Sequence, residues 1–486
     1  MELENQKLLR TQAYIDGTWV AADNGDSMSV SNPSTGEEIV AVASVGAAET
    51  RRAIDAANAA LPAWRARTAK ERANILRRWY DLMLVNQRDL ALIIACEQGK
   101  NLAEATGEIS YAASYIEWFA EEAKRIYGDI IAPPSSDKRL MVVRQPVGVV
   151  ASITPWNYPS AMITRKAAPA LAAGCTFVAK PAAETPLSAF ALAVLAEEAG
   201  VPPGVFNVVC GEDSKAIGGE ITRNPIVRKL SFTGSTAVGK LLIQQCAETV
   251  KKVSMELGGN APFIVFDDAD IEAAVGGAMA SKYRNSGQTC VCANRLLVQD
   301  GIYDAFAQRL AEEVSKFQLG NAVDETTTMG PLISARESTK VQAMVDDALA
   351  AGARALTGGQ RSSLGACFVE PTVLVDADQS MRVFREEIFG PVAPLFRFKT
   401  EAEAVAMAND TQFGLASYFY TRDLGRVFRV AEALEYGMVG INEGIISNEM
   451  APFGGIKESG SGREGSRYGI DDYVEMKYLC LAGLGE

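Results

Sequence analysis

Two short stretches hold residue types that could do covalent chemistry together. Asn285-Ser286-Gly287-Gln288-Thr289-Cys290-Val291-Cys292 sets two thiols one residue apart, after a glycine and before an apolar strand-like run, Arg295 to Val298. Upstream, Met255-Glu256-Leu257-Gly258-Gly259-Asn260 places a lone carboxylate before paired glycines, at the end of another strand-like segment. A thiolate is a strong nucleophile and a carboxylate is a competent general base, so Cys290 and Glu256 read as nucleophile and base. Most cysteines are simply buried and most strand-end glutamates are solvated, so this pairing needs support from the rest of the chain.

Composition supplies some of it. The 486 residues include no histidine. That excludes Ser-His-Asp and Cys-His chemistry and every His-ligated metal site, and leaves carboxylate, lysine, tyrosine or cysteine as base. No metal is expected. With 47 Lys+Arg against 60 Asp+Glu the net charge is -13, which disfavours nucleic acid and anionic membrane as partners. The start, Met1 to Asn5, lacks the basic and apolar regions of a signal peptide. The longest uncharged run, Gln145 to Thr164, contains Pro155 and Pro159 and suits a turn better than a membrane span. Eight cysteines without regular spacing fit a reducing, cytoplasmic setting.

The elements that must position these residues follow from periodicity. Ala13 to Val20 reads as a hairpin around Asp16-Gly17. Helical spacing runs from Ala47 to Leu102, and a third helix is expected over roughly Glu104 to Tyr127. After the break at Pro133-Pro134, strands (139–144, 147–154, 176–179, 205–209, 229–232) alternate with helices (186–199, 214–222, 236–249). The alternation restarts past Glu256, so two α/β, parallel-sheet, Rossmann-like domains are expected to meet near Gly258-Gly259. Residues 1–127 and 147–258 would form a cofactor-binding domain and 259–458 a catalytic domain. Residues 128–146 and 459–486 would form an arm whose strands, 139–144 and 473–480, either pair with another subunit or lie at the edge of their own.

Three further motifs sit at strand ends. Gly234 to Lys240 has the spacing G-x-x-x-x-G-K, but Leu241 stands where a magnesium-binding Ser or Thr is required, so an ATPase is a poor fit. A helix starting after Gly234 and Ser235 still suits the pyrophosphate of a dinucleotide. Asn157, between Pro155 and Pro159, is a turn former or a fixed donor to an oxyanion. Lys180, at another strand's carboxyl end, faces the ligand crevice of an open α/β sheet or plain solvent.

Together with Glu387-Ile388-Phe389-Gly390-Pro391 and Pro452-Phe453-Gly454-Gly455, these stretches resemble the aldehyde dehydrogenase superfamily nearly end to end, and most closely its bacterial succinate-semialdehyde dehydrogenases. The resemblance implies attack by Cys290 on an aldehyde, an oxyanion held by Asn157 and the Cys290 amide, hydride transfer to a nicotinamide, and hydrolysis of the thioester by water that Glu256 activates. It implies a cofactor lined by Trp156, Asn157, Lys180, Ala183, Gly234, Ser235, Leu257, Glu387 and Phe389. NAD-preferring members carry glutamate where Ala183 stands, so NADP is expected, with NAD also used. Arg165, Arg284 and Ser447 match positions that grip a distal carboxylate; the ordinary alternative for both arginines is a structural ion pair. The substrate is therefore expected to be succinic semialdehyde, or glutarate semialdehyde or another carboxylated aldehyde, turned over by a homodimer or homotetramer. Cys292 is a candidate redox partner of Cys290, if the strand-like spacing of about 6.5–7 Å between their Cα atoms is closed by a bend.

Overall fold

The structure, a computed structural model, describes residues 1–484. Five strands form the parallel centre of the first sheet: Val149–Ile153, Thr176–Lys180, Phe206–Val208, Val227–Thr233 and Lys252–Glu256. Numbered along the chain, they lie in the order third, second, first, fourth, fifth. Such an order has a switch point between the first and fourth strands, where right-handed crossovers leave in opposite directions and open a crevice at the carboxyl ends. The loop carrying Asn157 follows the first of these strands, and Gly234 and Ser235 follow the fourth. An antiparallel hairpin, Ala13–Ile15 and Thr18–Val20, closes one edge, and Gly460–Ser461 pairs with Met255 and Glu256 at the other.

The second sheet is parallel across Thr372–Val375, Val392–Phe398, Ala293–Gln299, Ala261–Val265, Ala416–Tyr420 and Met438–Ile441, with Arg354–Thr357 antiparallel at one edge. The chain enters it directly from Glu256 through Leu257-Gly258-Gly259-Asn260. Carboxyl ends of the first sheet therefore face amino ends of the second, which is where the turn holding Cys290 lies. A Cβ on Gly259 would sit 2.6 Å from the Cys290 carbonyl oxygen, so only glycine lets these backbones pass.

Two expectations need correction. Ala47 to Gln98 folds as three helices, Ala47–Ala66, Ala69–Val85 and Gln87–Gln98. Thr68 and Glu71 form a capping box that starts the second helix, and Gly99, at φ +91, ends the third. The helix expected to reach Tyr127 is thus a fourth, Leu102–Glu122, followed by a short 3-10 turn. The tail strand Val474–Leu481 pairs antiparallel along its whole length with Arg139–Pro146 of the same chain, and Asp129–Ile131 completes a separate three-stranded sheet. No helix among the described residues is long and apolar enough to cross a membrane.

One buried cation pins the amino ends of the second sheet. Arg295, with no exposed surface, donates to the carbonyls of Asn260, Met407 and Ala408 and to the Tyr436 hydroxyl, over distances of 2.7–3.1 Å. Its neighbour Asn294 bridges Asn260 to Glu386 and Ile388. Arg295→Met keeps the volume but orphans these acceptors, so it should lower unfolding stability by about 3 kcal/mol. A shift in the guanidinium midpoint at constant slope would report this; an unchanged midpoint would refute the role.

Candidate active site

A cavity of about 580 Å³ opens along the seam between the two sheets. Its walls include Trp156, Asn157, Arg165, Gly234, Ser235, Glu256 and Leu257 from the first lobe. Arg284, Cys290, Glu387, Phe389 and Ser447 come from the second. The structure thus brings together all the sequence-expected site residues except Lys180, Ala183 and Cys292, which lie outside the cavity wall.

Cys290 follows a left-handed run: Asn285 at φ 52, Ser286 at φ 55 and Gly287 at φ +76. A Cβ on Gly287 would lie 2.2 Å from the Gly390 carbonyl oxygen. Two non-glycine residues held left-handed side by side cost a few kcal/mol, which the surrounding hydrogen bonds must offset. The segment across the two thiols is bent rather than extended. Cys290 and Val291 form a turn, closed by the Cys292 amide donating to the Thr289 carbonyl at 3.0 Å. Cys292 points away into the core, its Sγ 3.6 Å from the Lys282 carbonyl oxygen, and both cysteines are free thiols. Burial pushes the Cys290 thiol up to about 12, while the Arg165 guanidinium works in the opposite direction.

Asn157 is clamped from both lobes. Its Nδ2 donates to the Gln288 carbonyl at 3.0 Å, which uses one of its two hydrogens. Its own carbonyl accepts from Lys100 Nζ at 2.9 Å and from Asn285 Nδ2 at 3.0 Å. The second amide hydrogen is left for a ligand.

Glu256 sits in a cluster of buried charge. Glu464 accepts from Lys166 at 2.5 Å and lies 2.7 Å from Arg165 Nη2, and Lys166 also donates to the Thr233 hydroxyl at 2.6 Å. Arg165 and Glu464 are in ion contact, but the N–H bonds are not aimed at the oxygen, so Arg165 Nε and Nη2 remain without hydrogen-bond acceptors. Glu256 Oε2 has no partner either. Burial raises Glu256 well above the usual carboxylate range and the Glu464 charge raises it further, while Lys166 and Arg165 hold Glu464 low. Of the two carboxyls, Glu464 keeps the negative charge and Glu256 keeps the proton.

On the opposite wall Trp156 and Phe389 meet edge to face at 5.7 Å, with Phe389 itself left-handed at φ 57. Ser235 caps the helix Thr236–Ala247 by accepting from the Val238 amide. Glu387 accepts from the Gly259 amide at 3.0 Å and is pushed up to about 7 by burial. Lys180 is buried, its Nζ donating only to the Pro181 carbonyl, and no carboxylate lies within ion-pair distance among the described residues. Arg284 likewise has no carboxylate within 4 Å among the described residues, in contrast to Arg165.

Several wall residues escaped the sequence reading. Glu104, Glu108 and Tyr111 line the cavity from the helix Leu102–Glu122. Their spacing of four and then three residues puts polar groups along one stripe of a mostly buried helix, a signal the sequence did carry. Glu337 and Lys340, from the helix Ala335–Ala350, line the cavity near Glu387; on a surface helix they look like ordinary solvated charges.

The profile of the aldehyde dehydrogenase family matches residues 19–479. Among curated proteins, the chain is 65% identical to glutarate-semialdehyde dehydrogenase of Pseudomonas aeruginosa, over all of both chains. It is 63% identical to succinate-semialdehyde dehydrogenase [NADP(+)] GabD of Escherichia coli, over 99% of this chain and 100% of that one. Among solved structures, it superposes on an NADP-dependent enzyme of E. coli with a TM-score of 0.98, at 63% identity, covering 99% and 100% of the two chains.

A thiol raised to about 12 is protonated at neutral pH, so its reactive fraction must grow as pH rises. Without added nucleotide, the rate of Cys290 alkylation by iodoacetamide, corrected with Cys290→Ala, should rise about tenfold per pH unit from roughly pH 7 to 10. A plateau below pH 8.5 would contradict the assignment.

Proposed function

The chain belongs to the aldehyde dehydrogenase family, and we propose that it oxidises a short aldehyde bearing a distal carboxylate, succinic semialdehyde or its five-carbon homologue, with NADP as preferred cofactor. One observation carries this reading: Cys290, Glu256 and Asn157 share a cavity with a guanidinium, Arg284, that has no carboxylate within 4 Å among the described residues.

The proposed chemistry uses those groups in turn. With its proton released to solvent, the Cys290 sulfur adds to the aldehyde carbon, and the new oxyanion is received by the spare Asn157 amide hydrogen and the Cys290 backbone N–H. A nicotinamide, when bound, would accept the hydride given up by the adduct's carbon, leaving a thioester on Cys290. Glu256, a carboxyl raised by burial, is a stronger base than an ordinary carboxylate once its proton passes to solvent. It then takes a proton from the water that attacks the thioester carbon, and the Cys290 sulfur leaves. Trp156, Phe389 and Glu387 would hold the nicotinamide end, and Gly234 and Ser235, at a helix N-terminus, the pyrophosphate. The fit is tight at Gly234, where a Cβ would fall 2.5 Å from the Phe232 ring. Lys180 without a carboxylate partner, beside Ala183 rather than an acidic side chain, suits a 2′-phosphate.

Arg284 is the principal anchor for the distal carboxylate, assisted by Ser447, while Arg165 shares its charge with Glu464. The five-carbon substrate is a full alternative, favoured by the relative at 65% identity. We read the protein as cytoplasmic, with residues 1–127 and 147–258 holding the cofactor and 259–458 the nucleophile. The small sheet of 128–146 and the tail, with exposed Ile130, Met476 and Tyr478, is the arm of a homodimer or homotetramer.

Arg284→Ala should reduce kcat/KM for succinic semialdehyde by the equivalent of about 2–5 kcal/mol while changing that for butanal less than about threefold. Retained preference for the carboxylated aldehyde would sink the anchor. On the cofactor side, kcat/KM with NADP should exceed that with NAD, and Lys180→Met should erase the difference. A native preference for NAD would overturn that reading.

A further inference from the structure

We propose that Lys100 and Glu108 are a positioning pair that fixes Asn157 as an oxyanion donor. Lys100 Nζ, wholly buried, donates to Glu108 Oε2 at 2.6 Å and to the Asn157 carbonyl at 2.9 Å. It also lies 3.6 Å above the Tyr158 ring. The other oxygen of Glu108 accepts from the amides of Ser160 and Ala161, at 2.9 and 3.2 Å, where the helix Ala161–Ala173 begins. One ion pair thus holds both ends of the loop 157–160, the ammonium at its first carbonyl and the carboxylate at its last amides. Neither side chain reaches Cys290's reacting position through any hydrogen bond of its own; each acts through Asn157.

The cost of this arrangement argues for a role beyond packing. Two charges out of water are expensive, and replacing such a pair by apolar groups is often neutral or stabilising for the fold. Here the pair is aimed at a backbone carbonyl already served by Asn285 Nδ2, so that carbonyl would not be orphaned without Lys100. The ammonium therefore adds little to satisfying the backbone. It adds a strong, directional constraint on where Asn157 stands, and an oxyanion donor displaced by a fraction of an ångström loses much of its effect.

The inference rests on the oxyanion role given to Asn157 above, and the test separates the two. Asn157→Ala must first lower kcat; if it does not, the reading of the site fails, whatever Lys100 does. K100M/E108Q, which removes both buried charges together, should then lower kcat about 10- to 100-fold with KM for aldehyde and NADP within about threefold. Added to Asn157→Ala, the same pair should cost less than about threefold more, because its effect runs through the group already removed. Cys290 alkylation by iodoacetamide, which forms no oxyanion, should stay within about twofold of the parent protein. Equal losses in kcat and alkylation, or full additivity with Asn157→Ala, would overturn the proposal. E108Q alone, which keeps the ammonium and loosens only its anchor, is the second variant. It must lower kcat with the same non-additivity, and an unchanged kcat would equally overturn it.

Discussion

Everything at this site depends on two sheets meeting backbone to backbone. Had either strand end carried a side chain at the contact, the lobes would stand farther apart and no single aldehyde carbon could reach both a thiol and a carboxyl. Glycine makes the approach at Gly259, over the Cys290 carbonyl, while Gly287, against Gly390, lets the turn bearing Cys290 pack within the second lobe. At Gly454 a Cβ would come within 3.0 Å of Glu256 Oε1. These positions have no catalytic atoms to offer. Their contribution is the missing methyl group.

Close approach then creates an electrostatic problem, since it buries Glu256, Glu464, Arg165 and Lys166 together. Desolvation penalises every one of these charges, and the question is which carboxyl receives the compensation. Glu464 receives it, with Lys166 at 2.5 Å and Arg165 at 2.7 Å. Glu256 receives less: burial and the neighbouring Glu464 anion raise it, and the attraction of Arg165 and Lys166 does not outweigh them. The result is a carboxyl held neutral at rest in the same cavity as a thiol also held neutral, so neither group carries a standing buried charge. Burial raises both groups, so each must lose its proton before the thiol can act as a nucleophile or the carboxyl as a base.

Much of the first sheet was legible because its strands are short apolar runs separated by glycine- and proline-rich turns, as in Thr176–Lys180 before Pro181. Thr372–Val375 and Met438–Ile441 were not read as strands. Each spans four residues, too few for periodicity to separate a strand from any other apolar stretch. Cys290 and Glu256 stood out through the glycines beside them. The turn at Cys290 did not, because it is closed by the Thr289 carbonyl, and one hydrogen bond overrides the extended preference of Val291. What Lys100 and Glu108 hold was hidden for a different reason. Their partners, Asn157 and Ser160, lie about fifty residues away and are reached only after the helices pack.

The anion pocket proposed around Arg284 would explain why chain length is harder to read than charge. A guanidinium about 4 Å from a carboxylate is worth roughly 4 kcal/mol at an effective dielectric of 20, and an uncharged tail forfeits all of it. Moving that carboxylate about 1.3 Å, the reach of one methylene, changes the attraction by only about 1 kcal/mol. Burying the extra methylene returns about 0.8 kcal/mol of the opposite sign. The two nearly cancel. A site built on Arg284 as proposed would separate carboxylated from plain aldehydes sharply and four carbons from five weakly, so length selection would have to come from the shape of the walls at Tyr111, Phe453 and Ser447 rather than from the charge itself.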